Sequence, residues 1–113
     1  MGLDLTLVPI QWPENGPDWL GYTRLSTERD SELYDRILND LPAEPIPGAL
    51  SWYGDDGLEQ RTRDTYDDAL MYVEAGQLGA FLYGALSTTN WNRAALKFCD
   101  HLPPETPVVL WWC

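Results

Sequence analysis

The chain has 113 residues, 44% of them apolar, including six Trp, six Tyr and two Phe. That is enough to bury one core without metal or disulfide support, and it sets the chain apart from disordered sequences. Against 7 basic residues stand 18 acidic ones, for a net charge of −11 and a pI near 4.1; such a field repels nucleic acid and anionic membranes and attracts basic protein surfaces.

No apolar run approaches the roughly 18 residues of a membrane span. Asp4 interrupts the first apolar stretch and no basic region precedes it, which argues against a signal peptide and for a cytoplasmic protein. Cys99 and Cys113 do not make a disulfide framework, and two unpaired thiols suit a reducing compartment.

In chain order, Leu3, Leu5 and Leu7 alternate with Asp4 and Thr6, the pattern of a strand with one buried face. Pro9 is expected to stop its ladder or place it on a sheet edge. A loop over 11–17 carries an Asn-Gly turn signal, and 19–25 can form a second strand. A helix follows, capped by Ser26 or Thr27, with Leu33, Tyr34, Ile37, Leu38 and Leu41 on its apolar stripe. Pro42 ends it, and Pro45, Pro47 and Gly48 make an extended linker.

Residues 49–53 read as a short strand, and Gly54-Asp55-Asp56-Gly57 as the turn of a hairpin. Its return strand, within 58–65, is polar and expected to be exposed. A further strand spans 69–73, because Gly76 and Gly79 make one long helix from 66 to 84 costly. A short helix then covers 75–83. The last helix, 91–101, is expected to bury Trp91, Ala95, Phe98, Cys99 and Leu102 and to carry Arg93 and Lys97 elsewhere.

The closing run Pro107-Val108-Val109-Leu110-Trp111-Trp112 has no polar alternation, which marks a strand buried on both faces. Together these elements predict a single α+β domain. Its sheet is mostly antiparallel, with the C-terminal strand inside it and two or three helices packed on it.

Four kinds of chemistry are weighed on these residues. Asp55, Asp56, Glu59, Asp64, Asp67 and Asp68 lie close together but lack the spacing of a calcium loop, so they read as a solvated acidic turn and no metal site is expected. His101 stands beside Asp100 at a helix end, where the dipole favours a cation, and no nucleophile motif accompanies it; no enzyme and no cofactor are expected. A nucleotide-type ligand could sit on Asn90 and Arg93 at a helix start, or on Arg61 and Arg63 with Trp52, Tyr53 or Tyr66 as stacking partners. Finally, Asp30, Glu32, Asp35, Asp40, Asp55, Asp56, Glu59, Asp64, Asp67 and Asp68 could imitate a phosphate array if the fold puts them on one face.

The opening Met-Gly-Leu-Asp-Leu-Thr-Leu-Val-Pro, residues 70–78 (Leu-Met-Tyr-Val-Glu-Ala-Gly-Gln-Leu), Asn92-Arg93-Ala94 and residues 102–108 resemble a set of small phage and prophage proteins. The resemblance covers both ends of the chain and is patchy between them. It implies a small accessory protein acting inside an infected bacterium. Many such proteins block host defences, and strong acidity recurs among those that occupy nucleic-acid sites on host nucleases. Two functions are therefore expected to compete. One is inhibition of a defence complex through its basic, nucleic-acid-binding surface, without membrane or direct nucleic-acid binding. The other is capture of a nucleotide signal in an aromatic and arginine pocket.

Overall fold

The computed structural model describes residues 4–11, 19–21, 23–54, 57–84 and 86–113, with the side chains of Gln11, Trp52 and Tyr53 left out. The chain runs β1 (Leu5–Gln11), β2 (Trp19–Gly21), β3 (Leu25–Ser26), α1 (Ser31–Asp40), β4 (Glu44–Pro45), β5 (Leu50–Gly54), β6 (Gly57–Arg61) and β7 (Met71–Glu74). It continues through α2 (Ala75–Gly79), a 3-10 turn (Ala80–Tyr83), α3 (Asn90–Asp100) and β8 (Pro107–Trp112). The strands form one curled sheet in the order β4-β7-β8-β1-β2-β5-β6, with β3 pairing β1 beside β2. Among the described residues only β2 and β5 pair in parallel, so the fold is the expected α+β class with a mixed, mostly antiparallel sheet.

The closing apolar run is β8, and it lies between β7 and β1. Its side chains divide between two cores. Val108, Leu110 and Trp112 join Leu5 and Leu7 against α1, α2 and α3, through Leu33, Ile37, Leu78, Leu96 and Cys99. Val109 turns the other way, to Val8, Ile10, Trp19, Leu50 and Leu70, where the curl of the sheet supplies the cover. Val108 and Val109 are both fully buried. Each such side chain contributes about 1.5–3 kcal/mol, which is why no polar residue interrupts the run.

Pro9 does not end β1; it sits inside the sheet, opposite Val108. Asp4 and Cys113 exchange both backbone bonds, at 2.7 and 2.9 Å. Bonded and non-bonded pairs alternate along an antiparallel ladder, so Pro9 falls on a non-bonded position toward β8. Its missing N–H faces the other flank. There β3 pairs only with Thr6 and Leu7, and β2 only with Ile10 and Gln11. The stretch expected as one strand over 19–25 is thus two short strands that meet β1 at different places, and Tyr22 lies outside the described residues.

The cap of α1 is Asp30, not Ser26 or Thr27: its carboxylate accepts the N–H groups of Glu32 and Leu33, at 3.1 and 3.2 Å. Thr27 is committed elsewhere. Its hydroxyl donates to Leu5 O, the Tyr34 hydroxyl donates to it, and Leu5 N–H donates to Tyr34. The expected stripe holds at Leu33, Tyr34 and Ile37, whereas Leu38 is exposed. Tyr34 meets Trp112 edge-on at 5.4 Å.

The last helix is rotated from its expected setting. Asn92, Ala95, Leu96 and Cys99 face inward, while Trp91 is 60% exposed and Phe98 37% exposed. The reason is polar. Asn92 accepts from Glu28 N–H at 2.7 Å and donates to Glu28 O and Thr88 Oγ1, and Thr88 in turn donates to Asp30. A buried amide that satisfies two backbone groups outweighs the placing of one more aromatic ring. The glycines of α2 serve close packing: a Cβ on Gly79 would stand 2.8 Å from Asp100 Cα, and one on Gly76 3.1 Å from Pro104 Cβ. Both cysteines are free, as expected, and burial pushes the Cys99 thiol up to about 12.

Candidate functional site

The ten acidic residues singled out in the sequence divide by what holds them. On α1, Glu32, Asp35 and Asp40 are exposed, and Asp40 lies 3.7 Å from Arg36 one turn earlier. Asp30 is not a free surface charge, because its two oxygens cap α1 and accept from Thr88. Asp64 is likewise half-buried, with its carboxylate accepting Tyr66 N–H at 2.8 Å and Asp68 N–H at 3.1 Å. That clasp shapes the turn after β6 and leaves Asp67 at φ 63°, the left-handed region. Arg63 donates to Asp67 O at 2.6 Å and stands 3.9 Å from its carboxylate, so Arg63 also belongs to the turn. Asp68 is exposed, and Glu59 lies 3.9 Å from Arg61. Asp55 and Asp56 lie outside the described residues.

Some of these groups share an end of the molecule. Thr65 N–H donates to Trp112 O at 3.2 Å, and Tyr34 of α1 packs on the same tryptophan. The 64–68 turn and the first turns of α1 therefore both border the C-terminal end of β8.

The residues expected to capture a nucleotide do not converge. Arg61 joins Arg24, Thr6, Val8, Trp111 and Cys113 around a cavity of about 240 Å³ on the curled side of the sheet. Arg93 lines a different depression on α3, which packs on the opposite face. Asn90 is exposed at the start of α3, Tyr66 is exposed in the 64–68 turn, and nothing is described of the Trp52 and Tyr53 side chains.

One arrangement of acid and aromatic groups escaped the sequence reading altogether. Trp19 of β2 and Tyr72 of β7 meet edge-on, ring centres 4.8 Å apart and planes at 74°. They wall a cavity of about 330 Å³ whose rim carries Glu44, Glu74 and Glu105, with Pro42, Val73, Gln77 and Pro107 completing it. Glu44 stands opposite Tyr72 in the β4–β7 ladder and accepts its hydroxyl at 3.1 Å. That bond, with burial and the charges of Glu44 and Glu74, raises the Tyr72 hydroxyl above its ordinary pKa. Gln77 fixes the start of α2 by accepting Glu74 N–H at 2.9 Å. Among the described residues none of the three glutamates has an arginine or lysine partner.

Such a cavity suits a cationic side chain. A ring face attracts a guanidinium or ammonium group, and the carboxylates at the rim supply the countercharge. No single stretch of sequence signals it, since the rim comes from a proline linker, a strand end and the approach to β8. Among the described residues no cluster of His, Cys, Asp or Glu is arranged to hold a metal ion, and no helix is long and apolar enough to cross a membrane. The sequence matches no family model and no curated protein, and no solved structure matches it.

Proposed function

We propose that this protein acts by binding a basic surface of another protein, seating an arginine or lysine of that partner in the Trp19–Tyr72 cavity. The carrying observation is the cavity itself, which two aromatic rings line and whose rim holds three glutamates without a cationic partner among the described residues. The net charge of −11 supports the same reading at longer range, because it steers a basic partner toward the chain. Exposed Glu32, Asp35, Asp40 and Asp68 extend that field over the surface. In its fuller form, which rests on the phage resemblance, the partner is a nucleic-acid-binding defence complex of the host. The protein then blocks that complex in the host cytoplasm by occupying the groove meant for nucleic acid.

Displacement of labelled DNA from purified host defence nucleases tests this. The expected result is displacement that weakens steeply with salt, since screening shortens the Debye length to about 8 Å at physiological ionic strength. Asp35→Lys with Asp40→Lys should slow association, and Glu74→Lys with Glu105→Lys should abolish displacement. Displacement that ignores salt and both double variants contradicts the proposal.

A second reading has its own observation. The smaller cavity on the curled side combines Arg24 and Arg61 with Trp111, a set suited to an anionic aromatic ligand such as a nucleotide. A thermal shift of several degrees with one nucleotide, lost in Arg61→Ala, would favour it over protein binding.

A further inference from the structure

The outward face of α3 contrasts with the acidic surfaces described above. Of the six large apolar side chains exposed among the described residues, three gather there: Tyr83, Trp91 and Phe98. Trp91 and Phe98 border a groove of about 310 Å³ between α3 and β3, floored by Leu25, Ala94 and Ala95. Ala94 also borders a neighbouring depression of about 440 Å³ that holds Arg93, Lys97 and His101, so the apolar and basic surfaces are continuous. The acid in that depression, Asp100, is engaged by the Tyr83 hydroxyl at 2.6 Å.

Charge pairing singles the face out. Arg29, Arg36, Arg61 and Arg63 each lie within 4 Å of a carboxylate, although acids outnumber bases across the chain. Among the described residues Arg93 and Lys97 have no acidic partner. Trp91 is held in place despite its exposure, its indole N–H donating to Ser26 O at 2.6 Å. An exposed aromatic already fixed in position loses little freedom when a partner covers it.

We propose that this face docks an acidic segment of a partner protein, an apolar side chain of that segment lying over Ala94 between Trp91 and Phe98 while its carboxylates reach Arg93 and Lys97. Charge complementarity selects that occupant. Nucleic acid, a long uniform polyanion, meets the repulsion of the −11 chain along its whole length, whereas a short acidic segment meets it at only a few charges. A second copy meeting this face through a two-fold axis that runs over the middle of α3 would bring Arg93 and Lys97 close to their own counterparts. The site does not depend on the acidic cavity, so either can fail without the other.

Selection from a random peptide library on the immobilised full chain tests the proposal. Peptides are compared on the native protein, on Arg93→Glu with Lys97→Glu, and on Trp91→Ser, each variant first shown to melt like the native chain. The expected peptides are rich in Asp and Glu around a large apolar residue and bind both variants at least about tenfold more weakly. Their binding should be unchanged by Leu58→Ser, which alters an exposed apolar side chain on β6 and no charge. The proposal is overturned if no selected peptide senses the α3 variants, or if those that do are neutral or basic. It is equally overturned if light scattering shows a dimer that Trp91→Ser dissociates.

Discussion

The cavity between Trp19 and Tyr72 and the outward face of α3 are built alike and charged oppositely. Each sets aromatic side chains beside charges that have no ion-pair partner among the described residues, three glutamates at the first and Arg93 with Lys97 at the second. Other charges serve the fold itself. Asp30 caps α1, Asp64 clasps its own turn, and Asp4 receives two bonds from Arg29 at 2.7 and 3.0 Å. The difference separates charge that maintains the structure from charge that remains available to a partner, a distinction net charge alone cannot make.

The largest expected effect removes both regions together. Val109→Asp places a carboxylate at a fully buried position on an inner strand and should cost more than about 4 kcal/mol, abolishing the cooperative melt. A folded Val109→Asp would mean that β8 does not hold the two cores together.

Charge reversal should then separate the regions. Glu74→Lys with Glu105→Lys should weaken a basic partner by about 2–4 kcal/mol, read by calorimetry, because a seated cation would face cations. Arg93→Glu with Lys97→Glu should leave that affinity unchanged. Equal losses in both doubles would show that only the overall field matters.

A smaller effect contrasts the two sides of α3. Asn92→Ala leaves the N–H and C=O of Glu28 without their side-chain partner and should cost about 2–3 kcal/mol in chemical denaturation. The larger deletion Trp91→Ser should cost about 1 kcal/mol or less, since the ring is mostly exposed. The reverse order would restore the helix setting that counting apolar residues predicts.

The smallest effect concerns a structural ion pair. The hydrogen bond from Arg29 holds the Asp4 carboxyl below its ordinary pKa. A depressed carboxyl adds stability above its unfolded value and loses it as pH falls, so the Asp4 contribution should fade only in acid. Arg29→Gln should therefore narrow the difference in melting temperature between neutral and acidic buffer.

What could be read in the sequence was what each element shows by itself. The unalternating run at 107–112 announced a strand buried on both faces, and the paired glycines 54 and 57 framed the β5–β6 hairpin. The helix spacing over 33–37 survived because the buried polar bonds on that face come from Tyr34, whose ring an apolar count already places inside. The setting of α3 did not, because Trp91 and Phe98 outweigh Asn92 in any apolar count, whereas Glu28, sixty-four residues earlier, decides the outcome. The cavity was illegible for the same reason on a larger scale. Glu44, Glu74 and Glu105 are far apart in the chain, and only the order β4-β7-β8 and the start of α2 bring them to one rim.

The central claim is that the Trp19–Tyr72 cavity receives a cationic side chain. Its most direct test is titration of isotopically labelled protein with an arginine-containing peptide, following the Trp19 indole and Tyr72 ring signals by NMR at low and at physiological salt. The predicted result is that both signals move together, that affinity falls as salt rises, and that Glu44→Gln with Glu74→Gln and Glu105→Gln abolishes the shifts. Movement with a glutamate-containing peptide instead, or shifts that persist in the triple variant, would contradict the account.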